Sequence, residues 1–181
     1  IITPLCVAAV LLAVFIDFVE FDRRPQVKAQ RRSIVATGTM LAFFAGLYLL
    51  IRLRVGVIAD VPAAWQWLLI PGGCLLLVLG AIVNIAGRLT LGRNWANHVK
   101  IYNDHALVTG GAYRFVRHPL YASLIWMSYG SALVYANGAV FAATTFIFVP
   151  FMYYRARQEE ELLGREFPGY AEYRRRVRMF I

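Results

Sequence analysis

Long apolar runs alternate with short basic ones along the chain. Four stretches are poor in charge: Ile1 to Phe18, broken only by Asp17; Ser33 to Ile51; Val61 to Gly87; and Pro119 to Tyr154. A bilayer core of about 30 Å takes roughly 20 apolar residues per helix, so each of the first three predicts one span. The fourth runs from 119 to 154 without a formal charge and carries Asn137-Gly138 near its middle. Asn-Gly is a turn dipeptide, so this stretch predicts a helical hairpin, Pro119 to Tyr135 and Ala139 to Tyr154. Pro150 predicts a kink in its second arm, because an internal proline removes a hydrogen bond and crowds the preceding turn. The expected fold is all-α: a polytopic transmembrane bundle of about five spans, the last two a helical hairpin, followed by a cytosolic C-terminal helical extension. It divides into an N-terminal three-span membrane region, 1–87, and a C-terminal region, 88–181, expected to carry the chemistry.

Five spans define two faces, and all of the 19 Lys and Arg except Arg52 and Arg54 fall on one of them. Short basic loops stay on the cytosolic side, which makes the basic face cytosolic and the protein integral and multi-pass. The same distribution explains the net charge of +9 without nucleic acid and suits contact with anionic membrane lipids. Composition agrees: 60% of the 181 residues are hydrophobic and 16% charged, against roughly a quarter charged in soluble domains. A soluble enzyme is disfavoured on that ground. Cys6 and Cys74 lie in apolar runs with no metal or disulfide spacing and read as core or lipid-facing. The first apolar run lacks a basic leader and a small-residue cleavage site, so it predicts a membrane helix entered from a trimmed start rather than a signal peptide.

The two long polar segments, Arg88 to His118 and Arg155 onward, share the basic face and hold all three histidines. The charge-free hairpin joins them, so they can build one site at the membrane boundary, and chemistry is expected there. Three constellations stand out. The first is Leu107-Val108-Thr109-Gly110-Gly111-Ala112-Tyr113-Arg114-Phe115-Val116-Arg117-His118-Pro119-Leu120-Tyr121. Its glycine pair admits close approach of backbone to a ligand. Pro119 suits the first turn of a helix, which puts Arg117 and His118 at that helix's mouth beside free N–H groups. Alternatively, Arg114 and Arg117 snorkel to headgroups, and Tyr113 and Tyr121 belong to an interfacial aromatic belt.

The second constellation is Arg155-Ala156-Arg157-Gln158-Glu159-Glu160-Glu161-Leu162-Leu163. On a helix its three carboxylates cannot share one face, so at least one faces solvent. The run is either a solvated extension with ordinary ion pairs or a locus for a cation or a ligand ammonium. The third, Leu91-Gly92-Arg93-Asn94-Trp95 with His98, Asp104 and His105, reads as structural or exposed. Asn84, inside the third span, predicts an interhelical hydrogen bond. No spacing for a metal, a dinucleotide, a nucleoside triphosphate or a nucleophile elbow occurs.

The run Gly111 to Tyr121, an apolar hairpin, then Arg155 with Glu159-Glu160-Glu161-Leu162 and Tyr170-Ala171-Glu172-Tyr173, resembles the isoprenylcysteine carboxyl methyltransferase and phospholipid methyltransferase superfamily. The likeness covers about Leu91 to Val177 and rests on two motifs, RHPxY and RxxxEE, in order around a hairpin. The resemblance implies an integral membrane enzyme that transfers a methyl group from S-adenosylmethionine to a lipophilic or lipidated acceptor. It also implies that Val108, Gly111, Tyr113, His118 and Tyr121 line the cofactor, that Glu159 or Glu160 holds its ammonium, and that Leu163 lies near the adenine. Arg117 and Arg155 would orient the acceptor or the cofactor carboxylate, and Glu160 would be the first candidate base were the acceptor an amine. An isoprenylated cysteine carboxylate, an ethanolamine lipid amine and a small thiol remain open as acceptors. An NADPH-dependent sterol-type reductase and a non-enzymatic membrane scaffold are the alternatives of other classes. The chain departs from the family pattern at Ser123, commonly glycine, and in the tail Val177-Arg178-Met179-Phe180, commonly proline-containing.

Overall fold

Inside a bilayer an apolar segment satisfies its own backbone most simply as a helix, and helix dominates this molecule. A computed structural model describes the backbone of residues 2–21, 27–31, 34–92, 99–102 and 107–180, and the side chains of 2–16, 39–40, 42–92 and 107–180. The helices are α1 (Ile2–Phe21), α2 (Ile34–Arg52), α3 (Ala63–Leu91), α4 (Pro119–Val134), α5 (Gly138–Glu166) and α6 (Tyr170–Arg176). Of these, α3 and α5 are each 29 residues and long and apolar enough to cross a membrane. Among the described residues, α1 and α2 carry shorter apolar stretches, Ile2–Ile16 and Ala42–Arg52. Large apolar side chains point outward from α1, α3 and α5, among them Leu11, Phe15, Trp67, Leu75 and Phe146. That surface is unsuited to water.

One departure from an all-helical chain is a two-stranded antiparallel ribbon, β1 (Val27–Arg31) with β2 (Val99–Tyr102), pairing Ala29 with Ile101 and Gln30 with Lys100. Its segments alternate apolar and polar residues with period two, the strand pattern, but over too few positions to stand out beside the long apolar runs. Arg23, Arg24, Arg93, Asn94, Trp95, His98, Asp104 and His105 lie outside the described residues.

The central seam is α3 against α4, and small residues make it. Cβ atoms added at Gly73 or Gly130 would each lie 2.7 Å from the other's carbonyl oxygen, so the two backbones touch. One heptad further along α3, Gly80 lies against Met127 and the Ser123 carbonyl. Membrane helices use small residues in this way, since close packing rather than the hydrophobic effect holds them together. Leu77, Ala81 and Met127 fill the seam, with Val10 of α1 packed on it. Asn84 forms the expected interhelical bond: its amide donates to Ser123 Oγ at 2.8 Å, and its carbonyl accepts from Arg88 Nε at 2.8 Å.

The hairpin turns where Asn-Gly predicted it. α4 stops at Val134, and Asn137 caps α5 by accepting the Val140 N–H at 2.9 Å. The Asn137 amide also donates to the Val55 carbonyl at 3.0 Å, tying the turn to the loop after α2. Pro150 does not end α5; a wide π turn, Thr144–Phe148, precedes it, with the Val149 N–H donating to the Thr144 carbonyl five residues back.

Candidate active site

The segment before α4 is shaped by one glycine. Gly111 sits at φ +55°, in the left-handed region, and a Cβ there would run into the Thr90 side chain at the end of α3. From it a 3-10 turn, Gly111–Arg114, buries Tyr113 and leads through Val116 to His118, after which Pro119 occupies the first turn of α4. The role predicted for the proline is filled, whereas Gly111 serves a left-handed turn and close packing on Thr90.

The second motif reaches the same place from α5. At about 1.5 Å per residue, a 29-residue helix spans roughly 43 Å, and the apolar core needs about 30 Å. The charged turns from Arg155 onward project past the apolar stretch. They divide by face as helical geometry requires: Glu161 is exposed, Glu160 is buried, and Glu159 stands between with its side chain 35% exposed.

These carboxylates meet the first motif directly. Glu160 Oε1 accepts from Arg117 Nε at 2.7 Å and lies 2.7 Å from Nη2, with the two side chains only 2% and 8% exposed. His118 sits between the carboxylates, its Nε2 3.3 Å from Glu160 Oε1 and its Nδ1 3.6 Å from Glu159 Oε2. The Tyr121 hydroxyl donates to Glu159 Oε2 at 3.0 Å, and its ring stacks on the His118 imidazole with 5.5 Å between centroids. Burial disfavours the imidazolium of His118, but hydrogen bonds and charges from Glu159 and Glu160 outweigh it and raise its pKa above the ordinary 6.5. Burial likewise works against the Glu160 carboxylate. His118 and Arg117 overcome that penalty and hold its pKa down, to about 2.

The two arginines differ. Arg117 is satisfied throughout: besides Glu160, its Nη1 donates to the carbonyls of Arg174, at 3.0 Å, and Val177. Arg155 is 7% exposed and its guanidinium lies 5.9 Å from the centre of the Tyr121 ring, yet its Nε and Nη1 are buried without a hydrogen-bond partner among the described residues. A guanidinium in that condition calls for an anion. Half-buried Leu163 lies one turn beyond Glu159 on α5, and Val108 is half-buried where the loop enters the site. Arg114 is exposed, as the snorkelling alternative has it, whereas Arg117, His118 and Tyr121 are drawn inward.

Sequence reasoning did not name residues of α6 or of the chain after it as site residues. Tyr173 donates its hydroxyl to the Tyr113 carbonyl at 2.6 Å, and Phe180 packs its ring 6.1 Å from that of His118. The spacing of Tyr170 and Tyr173, three apart on a helix, puts two aromatic side chains on one face and was the available clue.

A sequence model described as the isoprenylcysteine carboxyl methyltransferase (ICMT) family matches residues 73–165, from the Gly73 seam through both motifs. Among similar proteins, the protein-S-isoprenylcysteine O-methyltransferase of Saccharomyces cerevisiae is 33% identical over 108 residues, 58% of this chain and 45% of the relative. The Homo sapiens protein of that name is 35% identical over 124 residues, 61% of this chain and 40% of the relative. Protein-S-isoprenylcysteine O-methyltransferase A of Arabidopsis thaliana is 32% identical over 111 residues, covering 60% and 56%. The chain thus spans about half the length of the relatives it matches. With just over half of its residues matched, including both motifs that meet at His118, the chain belongs to the isoprenylcysteine carboxyl methyltransferase family.

Proposed function

We propose that the protein is an integral membrane methyltransferase that uses S-adenosylmethionine and methylates the carboxylate of a lipidated acceptor, the activity its relatives' names describe. The observation that carries this is buried Arg155, with two guanidine nitrogens unpartnered among the described residues, beside partly exposed Glu159 and the stacked pair His118 and Tyr121. A cofactor with a carboxylate, an ammonium and a flat base fits such a donor set.

When bound, S-adenosylmethionine supplies a methyl group activated by a sulfonium. Glu159 would receive its ammonium. Arg155 would take a carboxylate, the cofactor's or the acceptor's, and hold it in line. Val108, Gly111 and Tyr113 would wall the pocket from the loop, His118 and Tyr121 from α4, and Leu163 from beside the adenine. Alignment and exclusion of water are most of what such a displacement requires. Glu160 is a poor proton acceptor, since its pKa is held at about 2 by His118 and Arg117 against the opposing effect of burial. That favours an acceptor which is nucleophilic without losing a proton, a carboxylate before an ethanolamine lipid.

We extend the reading to topology. We take five spans, with the motifs and the C-terminal segment on the cytosolic face, from the sequence positions of the Lys and Arg, which fall, Arg52 and Arg54 excepted, in alternate connections between the apolar stretches. The three N-terminal spans, 1–87, would flank the lipophilic tail as it enters sideways from the bilayer, and 88–181 would carry the chemistry. The test is transfer of radiolabelled methyl from S-adenosylmethionine to a farnesylated cysteine derivative by detergent-solubilised protein. The expected result is turnover that Arg155→Gln abolishes while the fold survives. Absence of transfer by folded wild type would count against the assignment, and transfer only to an ethanolamine lipid would overturn the choice of acceptor.

A further inference from the structure

Resting on that reading of the site, we propose that the chain from Tyr173 to Phe180 is a strap that builds the cofactor pocket, with Arg117 as the positioning residue that grips it rather than a ligand of cofactor or acceptor. Four ties join the strap to the first motif. Val116 and Arg178 form a parallel bridge. Within it the Arg117 N–H donates to the Arg178 carbonyl at 2.9 Å and the His118 N–H to the Met179 carbonyl at 3.3 Å. The Arg117 side chain crosses the junction, donating through Nη1 to the Arg174 and Val177 carbonyls while Nε and Nη2 stay on Glu160. Tyr173 fixes the Tyr113 carbonyl, and Phe180 lies against His118.

The chemistry of the ties assigns the roles. N–H groups at the start of a helix are an anion site when free; here those of Arg117 and His118 are spent on the strap, so they serve shape rather than ligand. A guanidinium that already donates to one carboxylate and two carbonyls has no remaining fork for a substrate carboxylate. Arg155 has one. The strap also supplies what the loop lacks: from Gly110 to His118 the backbone has only a short 3-10 turn of its own, and a second segment bonded along it fixes where Tyr113 and His118 stand.

Three variants test this: a stop after Arg176, which removes Val177 to Ile181; Tyr173→Phe, which removes one hydroxyl; and Arg117→Lys, which keeps the charge on Glu160 but not the fork. Affinity for S-adenosylhomocysteine is measured by titration, helix content and unfolding temperature by circular dichroism, and amide exchange at Arg117 and His118 on ligand-free protein. The expected result is binding about tenfold weaker in Tyr173→Phe and weaker still in the other two. The Arg117 and His118 amides should exchange faster, with helix content kept. In turnover, Tyr173→Phe should raise KM for S-adenosylmethionine and leave kcat within about twofold, a split that general destabilisation would not produce. Wild-type affinity together with wild-type amide protection in Tyr173→Phe and in the truncation would overturn the strap. Wild type that binds no S-adenosylhomocysteine would instead overturn the methyltransferase reading, and amide exchange would then decide alone whether the strap orders the loop.

Discussion

α4 begins under a net of charged groups and ends under a net of neutral ones. At its start, Arg117, His118, Tyr121, Glu159 and Glu160 are linked by ion pairs and charge-assisted hydrogen bonds. At its end, beyond Val134, the Ile58 N–H donates to the Ala136 carbonyl and the Gly138 N–H to the Gly56 carbonyl, both at 2.9 Å, and the Asn137 amide reaches Val55. Both ends are tightly tied, so rigidity does not distinguish them. What does is that the neutral end satisfies its groups, whereas the charged end leaves Arg155 Nε and Nη1 buried without a hydrogen-bond partner among the described residues. On the proposed reading, the end that closes on itself is structural and the end with the stranded donor receives the cofactor.

The comparison is broken most severely by Arg117→Met. It removes the nearest partner of the buried Glu160 carboxylate and leaves it His118 and Arg174, so a loss of about 3 kcal/mol in unfolding free energy is expected together with loss of S-adenosylhomocysteine binding. Asn137→Ala removes a cap and a loop tie at the neutral end. It should cost about 1–2 kcal/mol with cofactor affinity unchanged, read by the same titration. Destabilisation by both variants with loss of binding in Arg117→Met alone would establish the division of labour.

pH sharpens it further. Glu160 has a folded pKa lowered to about 2, so its contribution is present above 4.5 and lost as pH falls through the folded value. His118 has a raised pKa, so its contribution is complete below 6.5 and lost as pH rises through its folded value. The charged end should be most stable between those limits, and Glu160→Gln should flatten the acid limb of unfolding temperature against pH. Asn137→Ala should shift that curve without changing its shape. The smallest effect belongs to Ser123→Ala in the seam between the ends, about 0.6 kcal/mol for one interhelical hydrogen bond, with Asn84 left to the Leu120 carbonyl at 3.5 Å.

The parts of this arrangement that were legible in the sequence are those fixed by local chemistry. Asn137-Gly138 marked the turn because few residue pairs tolerate it, Pro119 marked the start of α4, and helical spacing separated the three adjacent carboxylates. Motif order around an apolar hairpin brought His118 to Glu159 and Glu160. The parts that were not legible depend on partners distant in sequence. The Gly73 and Gly80 seam was not read from the sequence: glycines seven apart lie on one helix face, but which helix that face meets depends on the fold. That Arg117 and Arg155 differ has no trace in residue type; it comes from the segment Tyr173 to Phe180, whose carbonyls engage the Arg117 guanidinium. The ribbon of β1 and β2 escaped because each strand is short and its partner lies some 70 residues away, between Arg31 and Val99.

The most direct test of the central claim is a calorimetric titration of detergent-solubilised wild type, Glu159→Gln and Asn137→Ala with S-adenosylhomocysteine. Saturable binding by wild type and Asn137→Ala, with affinity at least tenfold weaker in Glu159→Gln, is the predicted result, the size being that of one lost charge-assisted hydrogen bond. Folded wild type that binds nothing, or Glu159→Gln that binds as wild type does, would contradict the claim that the charged end of α4 is the cofactor site.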